Sequence, residues 1–205
     1  MNFITSINEL EALYGTPGET SIIKVVSKLT PGYRRWIQQS KLCILSTVGP
    51  EGTDASPRGD DQPVVLELDE HTLAMPDWRG NNRMDSLRNI VRDDRVSLMF
   101  FVNGSNNVIR VNGRAKLTVD DEFLAKFERP TKSNTLRPRS VIIIKIEEIY
   151  SQCARALIRS KIWEEDPNLK NLPTIGDLLK DATDGNFDGE TYDKEWSARA
   201  AKTMW

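Results

Sequence analysis

A chain of 205 residues can bury a full core, and 39% hydrophobic with 28% charged residues is the composition of an ordinary water-soluble globular domain. The formal net charge of -2 provides no general field for nucleic acid or an anionic membrane, so any positive charge that matters must be local. No apolar run is long enough to span a bilayer. The start, Met1-Asn2-Phe3-Ile4-Thr5, lacks a basic region followed by an apolar core, so no signal peptide is expected and a cytoplasmic location follows.

The first forty residues read as helical. Ile7, Leu10, Leu13 and Tyr14 form one apolar stripe, stopped by Gly15-Thr16-Pro17-Gly18. Ile22, Ile23, Val26 and Leu29 form a second, and Tyr33, Trp36 and Ile37 a short third. Helices here are expected to cap or flank the main domain.

From Leu42 the pattern becomes that of a sheet. Leu42-Cys43-Ile44-Leu45-Ser46-Thr47 predicts a strand, Gly49-Pro50-Glu51-Gly52 a turn, and residues 53–58 a polar return strand. Residues 64–67 and 72–75 continue the sheet, with His71 in the turn between them. A helix is predicted over residues 83–91, with Leu87, Ile90 and Val91 inward. Residues 96–102 read as a central strand, and residues 107–119 alternate around Gly113, which marks a bend or bulge. Phe123, Leu124 and Phe127 point a helix inward, and Val141-Ile142-Ile143-Ile144-Lys145-Ile146 predicts another strand after the basic linker 132–139. Beyond Trp163 the signal weakens: Pro167 and Pro173 interrupt it, Ile175, Leu178 and Leu179 offer one helical patch, and Trp196 and Trp205 favour a docked arm over a solvated tail.

Short strands joined closely, with few helices between, argue for an antiparallel barrel over a doubly wound sheet. The organisation expected is therefore a helical extension over residues 1–40, a barrel over 41–163, and a C-terminal arm over 164–205. The fold class is mainly β with flanking helices (α+β).

Chemistry concentrates in two segments. In Pro76-Asp77-Trp78-Arg79-Gly80-Asn81-Asn82-Arg83-Met84-Asp85-Ser86, a glycine turn carries arginine and asparagine into a helix start. Amides there lack intrahelical acceptors and the peptide dipoles favour an anion. Arginine adds planar donors suited to phosphate. The bland alternative is a helix cap with solvated polar residues, and Asp85 would repel an anion if it pointed inward, or else orient Arg88. The second segment is Ser56-Pro57-Arg58-Gly59-Asp60, where Arg58 can meet an anion or pair with Asp60.

Arg110, Asn112 and Arg114 share one strand face, either as a polar lining or as a surface ladder. Arg155 and Arg159 are four apart and share one helix face. Cys43 and Cys153 lie in apolar patterns and read as buried free thiols. One histidine and two distant cysteines make no metal cluster, so no metal is expected, and neither a nucleophile elbow nor a phosphate-binding lysine loop is present.

Cys43-Ile44-Leu45-Ser46-Thr47, the Gly49–Gly52 turn and Ser56-Pro57-Arg58-Gly59-Asp60 resemble the pyridoxamine 5'-phosphate oxidase-like flavoproteins. The closer likeness is to a subgroup marked by Arg79-Gly80-Asn81-Asn82-Arg83-Met84-Asp85-Ser86-Leu87-Arg88-Asn89-Ile90. Arg110-Val111-Asn112-Gly113-Arg114-Ala115 and Cys153-Ala154-Arg155-Ala156-Leu157-Ile158-Arg159-Ser160 extend the likeness, which covers roughly residues 32–163.

The resemblance implies a split β-barrel of the FMN-binding type and a homodimer with FMN at its interface. Asn82 and Arg83 would hold the phosphate, with Ser86 nearby; Ser56 and Arg58 would run beside the flavin, Arg58 at the phosphate or the ribityl chain; Arg79 would reach the ligand from the preceding turn or else stay solvated, and Asn81 would join the cofactor site. Arg110, Arg155 and Arg159 would belong to the substrate or dimer cleft. The implied function is FMN-dependent oxidoreduction of a small molecule, or alternatively flavin binding or redox sensing without efficient turnover. Haem and a deazaflavin stay open as cofactors. Neither nucleic acid nor membrane is expected as a partner.

Overall fold

The computed structural model describes residues 1–131, 134–165 and 171–203. Seven strands form one antiparallel sheet: β1 (Leu42–Gly49), β2 (Gly52–Gly59), β3 (Leu66–Asp69), β4 (Thr72–Asp77), β5 (Arg95–Phe101), β6 (Val108–Thr118) and, after a two-stranded hairpin of β7 (Arg129–Pro130) and β8 (Thr135–Leu136), the long β9 (Ser140–Gln152). Their order is β2-β1-β5-β6-β9-β4-β3. The fold is a split barrel, mostly antiparallel sheet with flanking helices.

Side chains alternate along these strands, so every second residue faces the core. Cys43, Leu45, Leu98, Phe100, Val111, Ala115, Ile142, Ile144, Leu73 and Met75 converge there, all but excluded from water. The sheet curls so that β2, at one edge, meets the end of β4 near the other. Arg58 on β2 pairs with Asp77 on β4, and the Trp78 indole reaches Asp60 just beyond β2.

Gly113 fulfils the expectation of a bulge. The β6–β9 register shifts there, from Asn112 opposite Glu148 to Gly113 opposite Ile146. A Cβ at Gly113 would lie 2.0 Å from the Lys145 carbonyl oxygen, so a hydrogen is all the space admits.

Helix α3 (Pro31–Ile37) opens at Thr30, whose hydroxyl accepts from the Tyr33 amide, and it buries Ile37 on the barrel. Val26 pairs with Ile149 of β9, and Leu29 joins the core. The stripe on α1 (Ile7–Tyr14) stays in water: Ile7, Leu13 and Tyr14 are all exposed, as are Ile22 and Ile23 on α2 (Glu19–Ile23). The helical periodicity of these segments is real, but their apolar stripes stay exposed among the described residues.

Helix α4 (Asp85–Arg92) starts two residues later than the sequence suggests. Its inner face is Ser86, Asn89 and Ile90, with Leu87 partly buried against the core as expected, while Val91 is exposed. Spacing of three and four residues puts Ser86 with Asn89 and Ile90, and rotates Val91 outward. The Asn89 amide donates to Thr47 Oγ1 at 3.1 Å, which gives this polar inner face a partner on β1. Helix α5 (Asp121–Ala125) turns Leu124 inward, with Phe123 and Phe127 partly covered, as the sequence suggests.

Helix α6 (Arg155–Ser160) follows β9, and the Trp163 indole ties its end to the Ser105 carbonyl. Cys153, expected buried, is exposed: it stands just past the last β9 residue, where the strand leaves the sheet. Cys43 is buried as expected. Helices α7 (Ile175–Asp181) and α8 (Gly189–Thr203) pack on each other where Gly176 meets Gly189. Trp196 on α8 is exposed; Pro167 and Trp205 lie outside the described residues.

Candidate functional site

Strand β2 is polar because one of its faces is a cleft wall. Asp54, Ser56, Arg58 and then Asp60 alternate with the exposed Thr53, Ala55, Pro57 and Gly59. Opposite stand the loop after β4, the start of α4, and Arg139 and Ser140 at the start of β9. Together they enclose about 580 Å³, with Ser56, Arg58, Asp77, Asn81, Asn82, Arg83, Ser86 and Arg139 among the lining residues. Six residues named from the sequence, Ser56, Arg58, Asn81, Asn82, Arg83 and Ser86, therefore meet in one place. Arg79 lines the adjoining space on the far side of Arg58.

The loop entering α4 is unusual. Asn82 and Met84 both have φ of +62°, left-handed backbone that asparagine tolerates and methionine rarely adopts. Such conformations cost on the order of 1 kcal/mol each and cluster at ligand sites. Met84 occupies the cap position and supplies no side-chain acceptor to the first amides of α4. A left-handed residue followed by the first right-handed residue of a helix turns successive N–H groups toward one point, the geometry of an anion nest.

The charges around that point are balanced within the chain. Arg58 Nη1 donates to Asp77 Oδ1 at 2.6 Å, and its Nε is buried with no hydrogen-bond partner among the described residues. Arg83, with its side chain 79% exposed, donates from Nε to Asp85 Oδ2 at 2.5 Å. Asp85 thus serves Arg83, not Arg88 as the sequence left open. Arg139 Nη1 donates to Asn82 Oδ1 at 2.7 Å, and the Asn81 side chain accepts from the Arg83 amide.

The two serines behave differently from an anion-binding hydroxyl pair. Ser56 Oγ donates to Asp54 Oδ2 at 2.9 Å, and Ser86 Oγ donates to the same oxygen at 2.5 Å. Their hydrogens are committed to Asp54, and the α4 amides and the arginines are the donors left to an anion.

Beyond Arg58 the cleft floor is Asp60, whose side chain is 2% exposed. Burial alone would push its carboxyl up; the Gln62 amide, the Arg129 guanidinium and the Trp78 indole together hold it below its ordinary value. Arg58 therefore pairs with Asp77 in place of Asp60, the partner the sequence offered.

Arg110, Arg155 and Arg159 do not reach this cleft within one chain. Arg110 lies on the opposite face of the sheet, over the Tyr150 ring at 5.4 Å, with its Nε buried and unpartnered among the described residues. Arg155 and Arg159 are exposed on α6. Asp54, Asp77 and Arg139 escaped the sequence reading. No local signal distinguishes them: Asp77 and Arg139 become neighbours only because β4 pairs with β9, which brings the Arg139 amide to the Asp77 carbonyl.

A family model described as pyridoxamine 5'-phosphate oxidase matches residues 29–153, more than half of the chain. The chain belongs to the pyridoxamine 5'-phosphate oxidase family. The match begins at Leu29, where the chain enters the core, and ends at Cys153, just past β9, so it takes in the whole sheet and cleft. Among solved structures, the chain is similar to HupZ of Group A Streptococcus, with 17% identity, 60% of this chain and 93% of that one covered, and a TM-score of 0.48. It is also similar to general stress protein 26 of Bacillus anthracis, with 20% identity, coverage of 58% and 88%, and a TM-score of 0.41. An FMN-binding protein of Syntrophomonas wolfei has 13% identity, coverage of 72% and 97%, and a TM-score of 0.43. No curated protein matches the chain.

No helix among the described residues is long and apolar enough to cross a membrane, and no group of three or more candidate metal ligands occurs among them.

Proposed function

We propose that the cleft binds FMN and that this member of the family is an FMN-dependent oxidoreductase acting on a small molecule in the cytoplasm. The observation that carries the reading is the start of α4: uncapped amides behind a left-handed Met84, ringed by Arg58, Arg83 and Arg139. The residues fit a phosphate-bearing ligand, because the buried Arg58 Nε has no partner among the described residues and the helix start offers amides without a side-chain cap. Arg83 and Asn82 would hold that phosphate with the α4 amides, and Arg58 would stand beside the ribityl chain. When bound, FMN supplies hydride or electron transfer, so no protein nucleophile is required. The Arg79–Ile90 motif is the mark of the subgroup to which we assign the chain.

We further propose that two copies pair through the outer sheet face. Ile44, Met99, Arg110 and Tyr150 lie side by side across β1, β5, β6 and β9, each half-buried. A second copy would cover that apolar row and bring Arg155 and Arg159 to a shared cleft.

The absorption spectrum of the purified protein, with mass identification of any released chromophore, tests the cofactor. A flavin spectrum and the mass of FMN support it; a colourless protein that takes up no added FMN overturns it, and the mass of haem or a deazaflavin replaces it. Reduction of the bound flavin by a nicotinamide, followed by reoxidation with a small acceptor, separates an oxidoreductase from a flavin-binding or redox-sensing protein.

A further inference from the structure

Two exposed helices of this chain carry opposite charge beside apolar faces. On α1 nothing is buried. At 3.6 residues per turn, Leu13, Leu10, Tyr14 and Ile7 fall within roughly a third of its circumference, with Glu9 on one flank and Glu11 on the other. Residues 1–23 hold three glutamates and neither lysine nor arginine. The Glu9 carboxylate accepts from the Thr5 amide at 2.9 Å, and Glu11 has no ion pair among the described residues.

Helix α6 is the counterpart. Residues 152–163 hold two arginines, one lysine and no acidic residue. Arg155, Ile158 and Arg159 share one exposed side of the helix, with Ile162 and Trp163 exposed just beyond it. Lys161 pairs with Glu164, whereas Arg155 and Arg159 have no ion pair among the described residues.

An apolar stripe flanked by acid is repelled by an anionic lipid surface and matched by an apolar face flanked by arginine. The position of α6 supplies a second argument. It follows β9 shortly after Tyr150, a member of the outer row through which two copies would pair, so a contact on α6 continues that interface.

We propose that α1 of one copy docks on α6 of a second, with its apolar stripe over Ile158 and its glutamates against Arg155 and Arg159. The inference rests on the proposed pairing through the outer sheet face and adds an exchanged N-terminal arm, which that pairing does not require. Two-fold symmetry makes the contact twice. Each arm then stands at the rim of the shared cleft, and part of the wall of each site is supplied by the other copy.

The test coexpresses two differently tagged copies, both carrying Cys153→Ser to remove the exposed native thiol. One carries Leu10→Cys and the other Ile158→Cys, each near the middle of its helix, so the positions meet whichever way the helices run. Air oxidation with a copper catalyst is expected to join the two tags in one covalent dimer, since a disulfide requires α-carbons within about 7 Å. Absence of the mixed disulfide overturns the exchange, as does a chain with both substitutions that oxidises only within itself. Charge reversal gives a second readout by sedimentation. Glu9→Lys with Glu11→Lys, or Arg155→Glu with Arg159→Glu, raises the dimer dissociation constant roughly tenfold, and combining all four restores it.

If no cross-link forms and both reversals dimerise as wild type does, while Met99→Asp on the outer row weakens the dimer, the arm contact falls and the sheet-face pairing stands. If wild type is a monomer at every concentration, the two fall together. Circular dichroism and melting curves show that each variant compared is folded.

Discussion

Arg58 and Asp77, on strands that are not neighbours in the sheet, form a 2.6 Å ion pair that joins β2 to β4 across the opening of the split barrel. The pair is largely shielded from water, with side chains 21% and 13% exposed. Removing one partner leaves the other charge buried and uncompensated. Asp77→Ala is therefore expected to lose roughly 2 kcal/mol, on the low side for a buried pair because both groups keep some water contact. Urea unfolding measures this, and a combined Arg58→Met, Asp77→Leu variant should recover part of the loss while abolishing flavin retention.

Arg83 predicts the opposite division between stability and binding. Its ion pair with Asp85 is exposed, and such pairs contribute about 0–1 kcal/mol. Arg83→Ala should keep the wild-type melting temperature within a few degrees yet bind FMN roughly ten- to a hundredfold more weakly, as loss of a charged hydrogen bond to phosphate implies. Calorimetric titration with FMN decides it; unchanged affinity removes Arg83 from the site.

At Gly113 the added methyl of alanine would overlap the Lys145 carbonyl, which is backbone and cannot swing aside. Gly113→Ala should cost about 3 kcal/mol or more, the upper range for overpacking. Chemical denaturation checks this, and a loss below about 1 kcal/mol would mean that the bulge relaxes readily.

The two thiols separate by burial. Cys153 is exposed and Cys43 is not, so a thiol reagent should label one site in the folded protein and both in denaturant. Burial pushes the Cys43 thiol from 9.0 to about 12. The folded state therefore keeps a proton that the unfolded chain releases above its own pKa. Stability contributed by this group is complete below about pH 9 and declines as pH rises toward 12, by up to about 1.4 kcal/mol per pH unit. Comparing Cys43→Ala with wild type across that window isolates the effect, since only wild type carries this slope.

Much of this architecture is legible in the sequence because its causes are local. The Gly49–Gly52 turn, the alternation of β5 and the bulge at Gly113 each follow from neighbouring residues. The cleft is legible in part: Arg58 and Arg83 announce themselves through glycine, proline and asparagine beside them. Asp77 and Arg139 do not, since each acquires its meaning from strand pairing with a distant segment. Apolar periodicity misleads at α1 for a related reason. A stripe such as Ile7, Leu10 and Leu13 states that a helix has an apolar face, and says nothing of whether this chain supplies the surface to cover it. At Val91 the type of residue suggested burial, but the rotation of α4, set by Ser86 and Asn89, placed it in water.

The cleft takes its walls from β2, from the loop ahead of α4, and from the first residues of β9, and these meet only when β9 has zipped onto β4. A half-assembled barrel thus lacks the cleft altogether. A ligand that binds only the assembled cleft stabilises the whole folded sheet, so its concentration should raise the melting temperature of the entire barrel, not merely stiffen one loop.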